Sequence, residues 1–475
     1  MSTFSRHSST RRTGALAAPG PPRVPHPGIA LAVIVGCQLM IGVDTSVVTI
    51  ALPDIRAALG LSTGGLAWIQ NSYMLAFGGL LLLGGRAGDI FGRRRVFVAG
   101  VVTFTLASLL GGVAGGGGLL IAARTLQGAA AAVAAPSAMA LIAASFEGAA
   151  RVRALSIFSA VTGAGAAIGM ILGGVLTEWA SWRWVFFVNL PVGAALTLLA
   201  PRFITETAPR PGRFDLAGTF TSTLGMTALV GGFIRAGSDG WRDGVTLGAF
   251  AAASGLLGLF LLIESRVEQP IMPLRLFADR ARAAAYTAQF LLVAAFFGAF
   301  FFLTQYLQEV LRYEPLRAGA AFVPLVGMQF VFVRSVPKFL PRFGARPIVA
   351  TGTALIVVGL LWLTRLTPDS AYATSVLGPF LLMGMGGGLS IMPLNATILA
   401  RVPAGDAGAA SGVAQTMLWS GGSLGSAVML TVFGAHDGMV EGITAALAGG
   451  AVFAAAAFLA VLALPRTSAR PQGTS

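Results

Sequence analysis

Asp44 lies in IGVDTSVVTIALP, with no other charged residue between Arg23 and Asp54. An acid set that deep in an apolar run has few uses. Burial in hydrocarbon favours the neutral carboxyl and a neighbouring cation favours the carboxylate, so moving between such surroundings loads and unloads a proton. The other readings are a permanently paired structural acid, or a contact for the charged end of a solute. Arg124 is the matching embedded cation, and at helical spacing it shares a face with Gln127 and Ala131. Against that pairing stands the simpler account that Arg124 snorkels to the membrane edge. A third polar group is GGRAGDIFGRRR, residues 84–95, where Asp89 sits among four arginines and the spaced Gly85, Gly88 and Gly92. Topology alone explains the arginines. It does not explain one acid set between glycines that permit a tight turn and close approach.

Other chemistries lack their residues. The single lysine, Lys338 in SVPKFL, has no glycine-rich run before it, so no Walker A loop is present. His7, His26 and His436 are scattered, and no zinc spacing or hydrolytic triad can be assembled from them. Cys37 is alone, which excludes internal disulfides. No enzymatic activity, metal or organic cofactor is expected, and any energy must come from an ion gradient.

The elements that position these groups are membrane spans. Of 475 residues 55% are hydrophobic and 11% charged, and apolar runs of bilayer-spanning length recur along the chain. Breaks at charge and Gly/Pro clusters place spans near 29–52, 65–84, 96–114, 119–142, 155–176, 184–200, 217–235, 245–263, 284–307, 318–336, 347–364, 375–399, 408–434 and 443–464. The net charge of +14 is orientation signal rather than a nucleic-acid footprint. With the N-terminus inside, 23 basic residues fall on the cytoplasmic side, 7 outside, and Arg124 and Arg334 within spans. A faint repeat, IFGRR (90–94) after the second span and RFGAR (342–346) after the tenth, suggests paired halves, a feature of alternating-access carriers.

Several stretches together resemble one family. GGRAGDIFGRRR is similar to the loop motif of the major facilitator superfamily. GVDTSVVTIALPDI (42–55), RTLQGAAAAVAAP (124–136), WRWVFFVNLPVG (182–193) and AGDAGAASGVAQTMLWSGGSLGSA (404–427) resemble motifs of its fourteen-helix drug–proton antiporters, in the right order. The chain departs from the pattern at Met170, where the fifth-helix motif usually has proline, and at Ala130, where glycine is common. The resemblance implies an all-α polytopic membrane protein with the major facilitator fold: two six-helix bundles plus an inserted two-helix hairpin. The expected divisions are a tail at 1–28, bundles at 29–200 and 284–464, the hairpin with its linkers at 201–283, and a tail at 465–475. It further implies that Asp44 and Arg124 face one another. Gly85, Asp89, Gly92, Arg93 and Arg94 would form a cytoplasmic latch, with Asp89 placed to cap the helix starting near Gly408.

Less specific candidates complete the site. Trp68, Tyr73, Gln127, Phe297, Phe301 and Gln308 are possible cavity lining, although such aromatics more often face lipid or core. Gly165, Gly169 and Gly173, spaced by four, with Gly174 beside them, form a smooth stripe for close helix contact or gating. The expected function is proton-coupled efflux of amphipathic drugs or other small molecules. The partners would be the solute, protons and lipid, and the protein a monomer in a bacterial cytoplasmic membrane with both termini cytoplasmic. The alternatives are a dedicated exporter of one endogenous metabolite and, with Met170 in place of proline, a proton-coupled importer.

Overall fold

The computed structural model describes residues 26–209, 214–267, 270–400, 402–403 and 406–464. Residues 1–25 of the expected N-terminal tail, the whole of the expected C-terminal tail, and Arg210, Arg213 and Arg401 of the charge count lie outside the described residues, while Pro27 and Gly28 of the expected tail already belong to the first helix. Fourteen long apolar helices account for nearly all the rest. They are α1 (Pro27–Leu59), α2 (Thr63–Phe91), α3 (Arg93–Gly112), α4 (Gly117–Ser145), α5 (Gly148–Trp179), α6 (Trp184–Phe203) and α7 (Leu216–Asp239). There follow α8 (Gly244–Glu264), α9 (Arg280–Val310), α10 (Pro315–Phe343), α11 (Ala345–Leu363), α12 (Tyr372–Leu399), α13 (Ala407–Gly434) and α14 (Met439–Leu462). No strand occurs among the described residues. Each span read from the sequence has its helix, generally extended by a turn where polar residues continue the hydrogen-bonding pattern beyond the apolar run.

Local chemistry sets the turns. Gly60, at φ +62°, ends α1 in the left-handed region, and the Ser62 hydroxyl accepts the Gly65 N–H to start α2. Gly92 (φ +99°) separates α2 from α3, and Gly344 (φ +77°) separates α10 from α11. The faint repeat therefore marks the same backbone event twice. At the tip of the α7–α8 hairpin Asp243 caps α8, and its hydrogen bond from Arg235 holds the carboxyl below the usual range.

The packing repeats with an offset of eight helices. α1 packs on α4, α5 and α6, as α9 packs on α12, α13 and α14. α2 and α3 meet α4, as α10 and α11 meet α12. Two six-helix bundles result. They join at two seams, α2 with α13 and α5 with α10, which the same repeat exchanges. The hairpin breaks this symmetry, because α7 packs against both α2 and α13 and so covers one seam only.

The seams are closed unevenly. On the face that carries the α1–α2 turn, Arg56 reaches the Glu309 carboxylate at 3.1 Å and the Gln308 amide donates to the Ile50 carbonyl at 2.9 Å. There too the Leu316 N–H donates to Glu178 at 3.1 Å. A π-helical turn at Tyr306–Val310 directs Gln308 and Glu309 into this seam. Going toward the arginine-rich face, α2 and α13 stay in contact to Leu82 and Gly412, whereas a side chain at Gly408 would meet nothing within 4 Å. α5 and α10 press together at Gly174 and Gly319 but loosen by Gly163, where the nearest atom across is the Phe330 ring, 3.9 Å from a built Cβ. The halves thus form a wedge that is shut on one face and parts toward the arginine-rich one.

Candidate functional site

The wedge places one strongly polar cluster inside the N-terminal bundle. Asp44 on α1 is fully buried and Arg124 on α4 nearly so. The Arg124 guanidinium donates to Asp44 Oδ2 at 2.6 Å and to Gln127 Oε1 at 2.9 Å. Asp44 Oδ1 accepts the Gln127 amide at 3.0 Å and the Asn189 amide at 2.8 Å. Ser108 Oγ accepts from both of those amides, at 2.7 and 3.3 Å. The ring of Tyr73 lies under the guanidinium, 4.2 Å from Cζ to centroid. Five helices thus converge here: α1, α2, α3, α4 and α6 each supply one or more groups.

Sequence explains why these residues meet. Arg124 enters α4 two turns from its start, and the three-residue spacing to Gln127 keeps both on the α1 side. Gly128 lets α4 approach the Tyr73 backbone so closely that any side chain there would collide with it. α6 keeps right-handed helical backbone through Val188 (φ −60°, ψ −25°), which joins Trp184–Phe187 to Asn189–Phe203. Pro191 lacks the N–H that would have bonded the Phe187 carbonyl, so one helical hydrogen bond is missing beside the buried Asn189. A buried charge pair needs its remaining acceptors met. Here Gln127 and Asn189 meet them, with Ser108 accepting from both amides, leaving Arg124 Nε and the Tyr73 hydroxyl without a partner.

Snorkelling is therefore not the state of Arg124. The other candidates separate. Tyr73 and Gln127 belong to the cluster. Phe297 stands at the interface between halves, with its ring 6.0 Å from Trp419 of α13. Trp419 also meets Phe77 at 4.5 Å and Tyr73 at 6.1 Å, so an aromatic patch on the seam touches the underside of the ion pair. Phe301 is not at a cavity surface: it is buried against Phe302 in the C-terminal core. Trp68 packs on Gly231 of the hairpin rather than facing the interior, because α7 covers that side of α2. Gln308 belongs to the closed seam.

The glycines also divide. Gly165, Gly169 and Gly173 lie along α1, where built Cβ atoms would stand 3.4 Å from Gly42 Cα, 2.7 Å from Val43 O and 2.9 Å from Val47 O. Gly174 instead faces Leu316 and Pro315 of α10, across the seam. In the latch loop Asp89 accepts from Arg93 at 2.9 Å, and Arg93 also donates to the Ala140 carbonyl. Gly85 and Gly88 face Pro136 and Ser137 of α4. Glu206 and Thr207 cap the start of α3, accepting the backbone N–H groups of Arg93, Arg94 and Arg95, with Gly92 leaving room for the Glu206 carboxylate. The Arg94 side chain bonds the Pro201 and Ile204 carbonyls. Asp89 does not cap the helix near Gly408, as the sequence had suggested. Asp406 there pairs with Arg275, and the parted halves leave Asp89 with partners of its own bundle.

Reasoning from sequence missed Asn189, Ser108 and Trp419. Asn189 had a usable signal, an amide within an apolar span. Ser108 in LASLL had none.

Fold and site together define a membrane carrier with a sealed charge pair in one of two related bundles. Residues 34–426 match the Major Facilitator Superfamily, and the chain belongs to it. It is 42% identical over 443 residues to a cephamycin export protein of Amycolatopsis lactamdurans, covering 91% of each chain. It is 40% identical to a puromycin resistance protein of Streptomyces alboniger, covering 85% of this chain and 81% of that one. Among solved structures it resembles the POT family transporter PepTSo, with a TM-score of 0.65 at 14% identity, over 92% of this chain and 96% of the other.

Proposed function

We propose that this protein is a proton-driven exporter of amphipathic small molecules in a bacterial cytoplasmic membrane. The arginine-rich face and both termini lie in the cytoplasm, and one chain works alone because it supplies both halves. The observation that carries this reading is the Asp44–Arg124 pair, buried in one bundle and touching the seam through Tyr73. The wedge then corresponds to an inward-open carrier that awaits solute between the bundles. Solute entry closes the cytoplasmic side, the Asp89 loop engages α13 as a latch, and the Arg56–Glu309 seam opens. A proton entering from outside takes the place of Arg124 on Asp44, and its release inside restores the pair. One charge moving down 100 mV supplies about 2.3 kcal/mol. At about 1.36 kcal/mol per tenfold this sustains roughly a fiftyfold concentration ratio.

A narrower reading, a dedicated exporter of one antibiotic-like metabolite, is favoured by the two relatives whose names each carry a single antibiotic. The test common to both is dye or antibiotic uptake into everted vesicles energised by respiration. Asp44→Asn keeps the size and hydrogen bonding of the side chain but cannot carry a proton. It should abolish gradient-driven uptake while solute binding persists. Undiminished uptake by this variant removes Asp44 from coupling. Accumulation by intact cells under an inward proton gradient would show import instead.

A further inference from the structure

Apart from the transport site, two carboxyl groups face each other at the base of the inserted hairpin. Asp215 stands just before α7 and Glu264 ends α8, so the hairpin brings them together across its open end. Each acid has one oxygen occupied. Asp215 Oδ1 accepts the Gly218 N–H at 2.8 Å, as the helix cap. Glu264 Oε2 accepts the Met272 N–H at 3.0 Å, from the linker that leads into α9. The other two oxygens, Asp215 Oδ2 and Glu264 Oε1, are buried and receive no hydrogen bond from any of the described residues. Glu264 as a whole is 4% exposed.

These two bare oxygens crowd the same side of Gly218. A built Cβ there would lie 2.8 Å from Glu264 Oε1 and against Asp215 Oδ2, so the two oxygens converge on one point. Helix capping accounts for Oδ1, and tethering of the linker accounts for Oε2. Neither accounts for two acceptors buried face to face. The elements packed around the hairpin carry Arg86 on α2 and, on α13, Asp406, which is held by Arg275. Arg266 and Asp279 lie in or beside the linker. None of these gives a proton to either oxygen. Two ionised carboxylates in this arrangement would repel with no donor between them, whereas one shared proton turns the contact into a charge-assisted O–H···O bond.

We propose that Asp215 and Glu264 form a proton-binding site that holds one proton between Oδ2 and Oε1 at neutral pH, distinct from the proton that drives transport. The occupied site is a one-proton staple. It fastens the start of α7 to the end of α8 and, through Glu264 Oε2, to the linker joining the hairpin to the C-terminal bundle.

Infrared spectroscopy of the intact purified protein in lipid nanodiscs at neutral pH tests this without any solute. The wild type should show a protonated-carboxyl C=O band that shifts in D2O. Glu264→Gln and Asp215→Asn should each remove the same band, because either substitution ends the sharing. The amide of Glu264→Gln can still donate to Asp215 and accept from Met272. The protection of the Met272 amide, taken as its exchange relative to the intrinsic base-catalysed rate, should therefore become independent of pH in that variant, while in the wild type it falls as alkali strips the proton. The proposal is overturned if the wild type lacks the band, if only one substitution removes it, or if sodium or calcium abolishes it, which would make the site a metal site.

Discussion

At the scale of single residues, the cluster around Asp44 shows how a charge is kept in an apolar bundle. Removing one member of a buried ion pair strands the other and typically costs about 3–5 kcal/mol. Arg124→Leu should therefore unfold at markedly lower temperature in detergent, and Arg124→Leu combined with Asp44→Leu should recover much of the loss. If the double variant is no more stable than the single one, the pair is not what holds these helices together. Arg124→Lys keeps the charge but not the guanidinium plane that lies over the Tyr73 ring while Nη1 serves Asp44 and Gln127. It should fold, and transport poorly.

At the scale of elements, the contact of α5 with α1 rests on the absence of side chains. A methyl group at Gly169 would stand 2.7 Å from Val43 O and 2.8 Å from Ser46 Cβ. Backbone cannot yield there cheaply, and overpacking of this kind costs about 1–3 kcal/mol. Gly169→Ala should lower thermal stability accordingly. Gly163→Ala, with only the Phe330 ring at 3.9 Å, should leave it unchanged. Equal effects at the two sites would mean that the stripe is not a packing feature. With Met170 in place of the family's proline, α5 runs unbroken through this contact, and its glycines act by proximity to α1 rather than by bending.

At the scale of the whole molecule, the closed face is held by few polar contacts, and the Arg56–Glu309 pair is the most exposed to change. Its side chains are about one-third accessible, at 33% and 29%, so it contributes at most about 1 kcal/mol. That is still enough to shift a two-state balance severalfold. Glu309→Gln should raise the labelling rate of a cysteine placed at Ala57 by a few fold, by favouring the state open on that face. A pair exchange, Arg56→Glu with Glu309→Arg, should restore the wild-type rate. No change in either variant would show that the seam is closed by the Gln308 and Glu178 contacts alone.

Much of this architecture was legible in the linear chain. Fourteen spans follow from hydropathy because a bilayer offers the backbone no partners and forces each segment to be a helix. The embedded position of Asp44 and Arg124 follows in the same way, and so does the repeat that Gly92 and Gly344 make concrete. What the linear chain did not decide is which faces meet. That Asn189 and Ser108 complete the Asp44 cluster depends on α6 packing against α1 and on α3 packing against α4. That Trp68 faces a hairpin, Phe301 the core and Trp419 the seam depends on how helices rotate about their axes, and in hydrocarbon apolarity no longer distinguishes inside from outside. Sequence alone determined that helices cross the membrane and where the costly charges lie along them. Only the tertiary structure decided which neutral groups surround the charge pair and on which face the two halves are parted, because those outcomes arise from contacts between residues far apart in the chain.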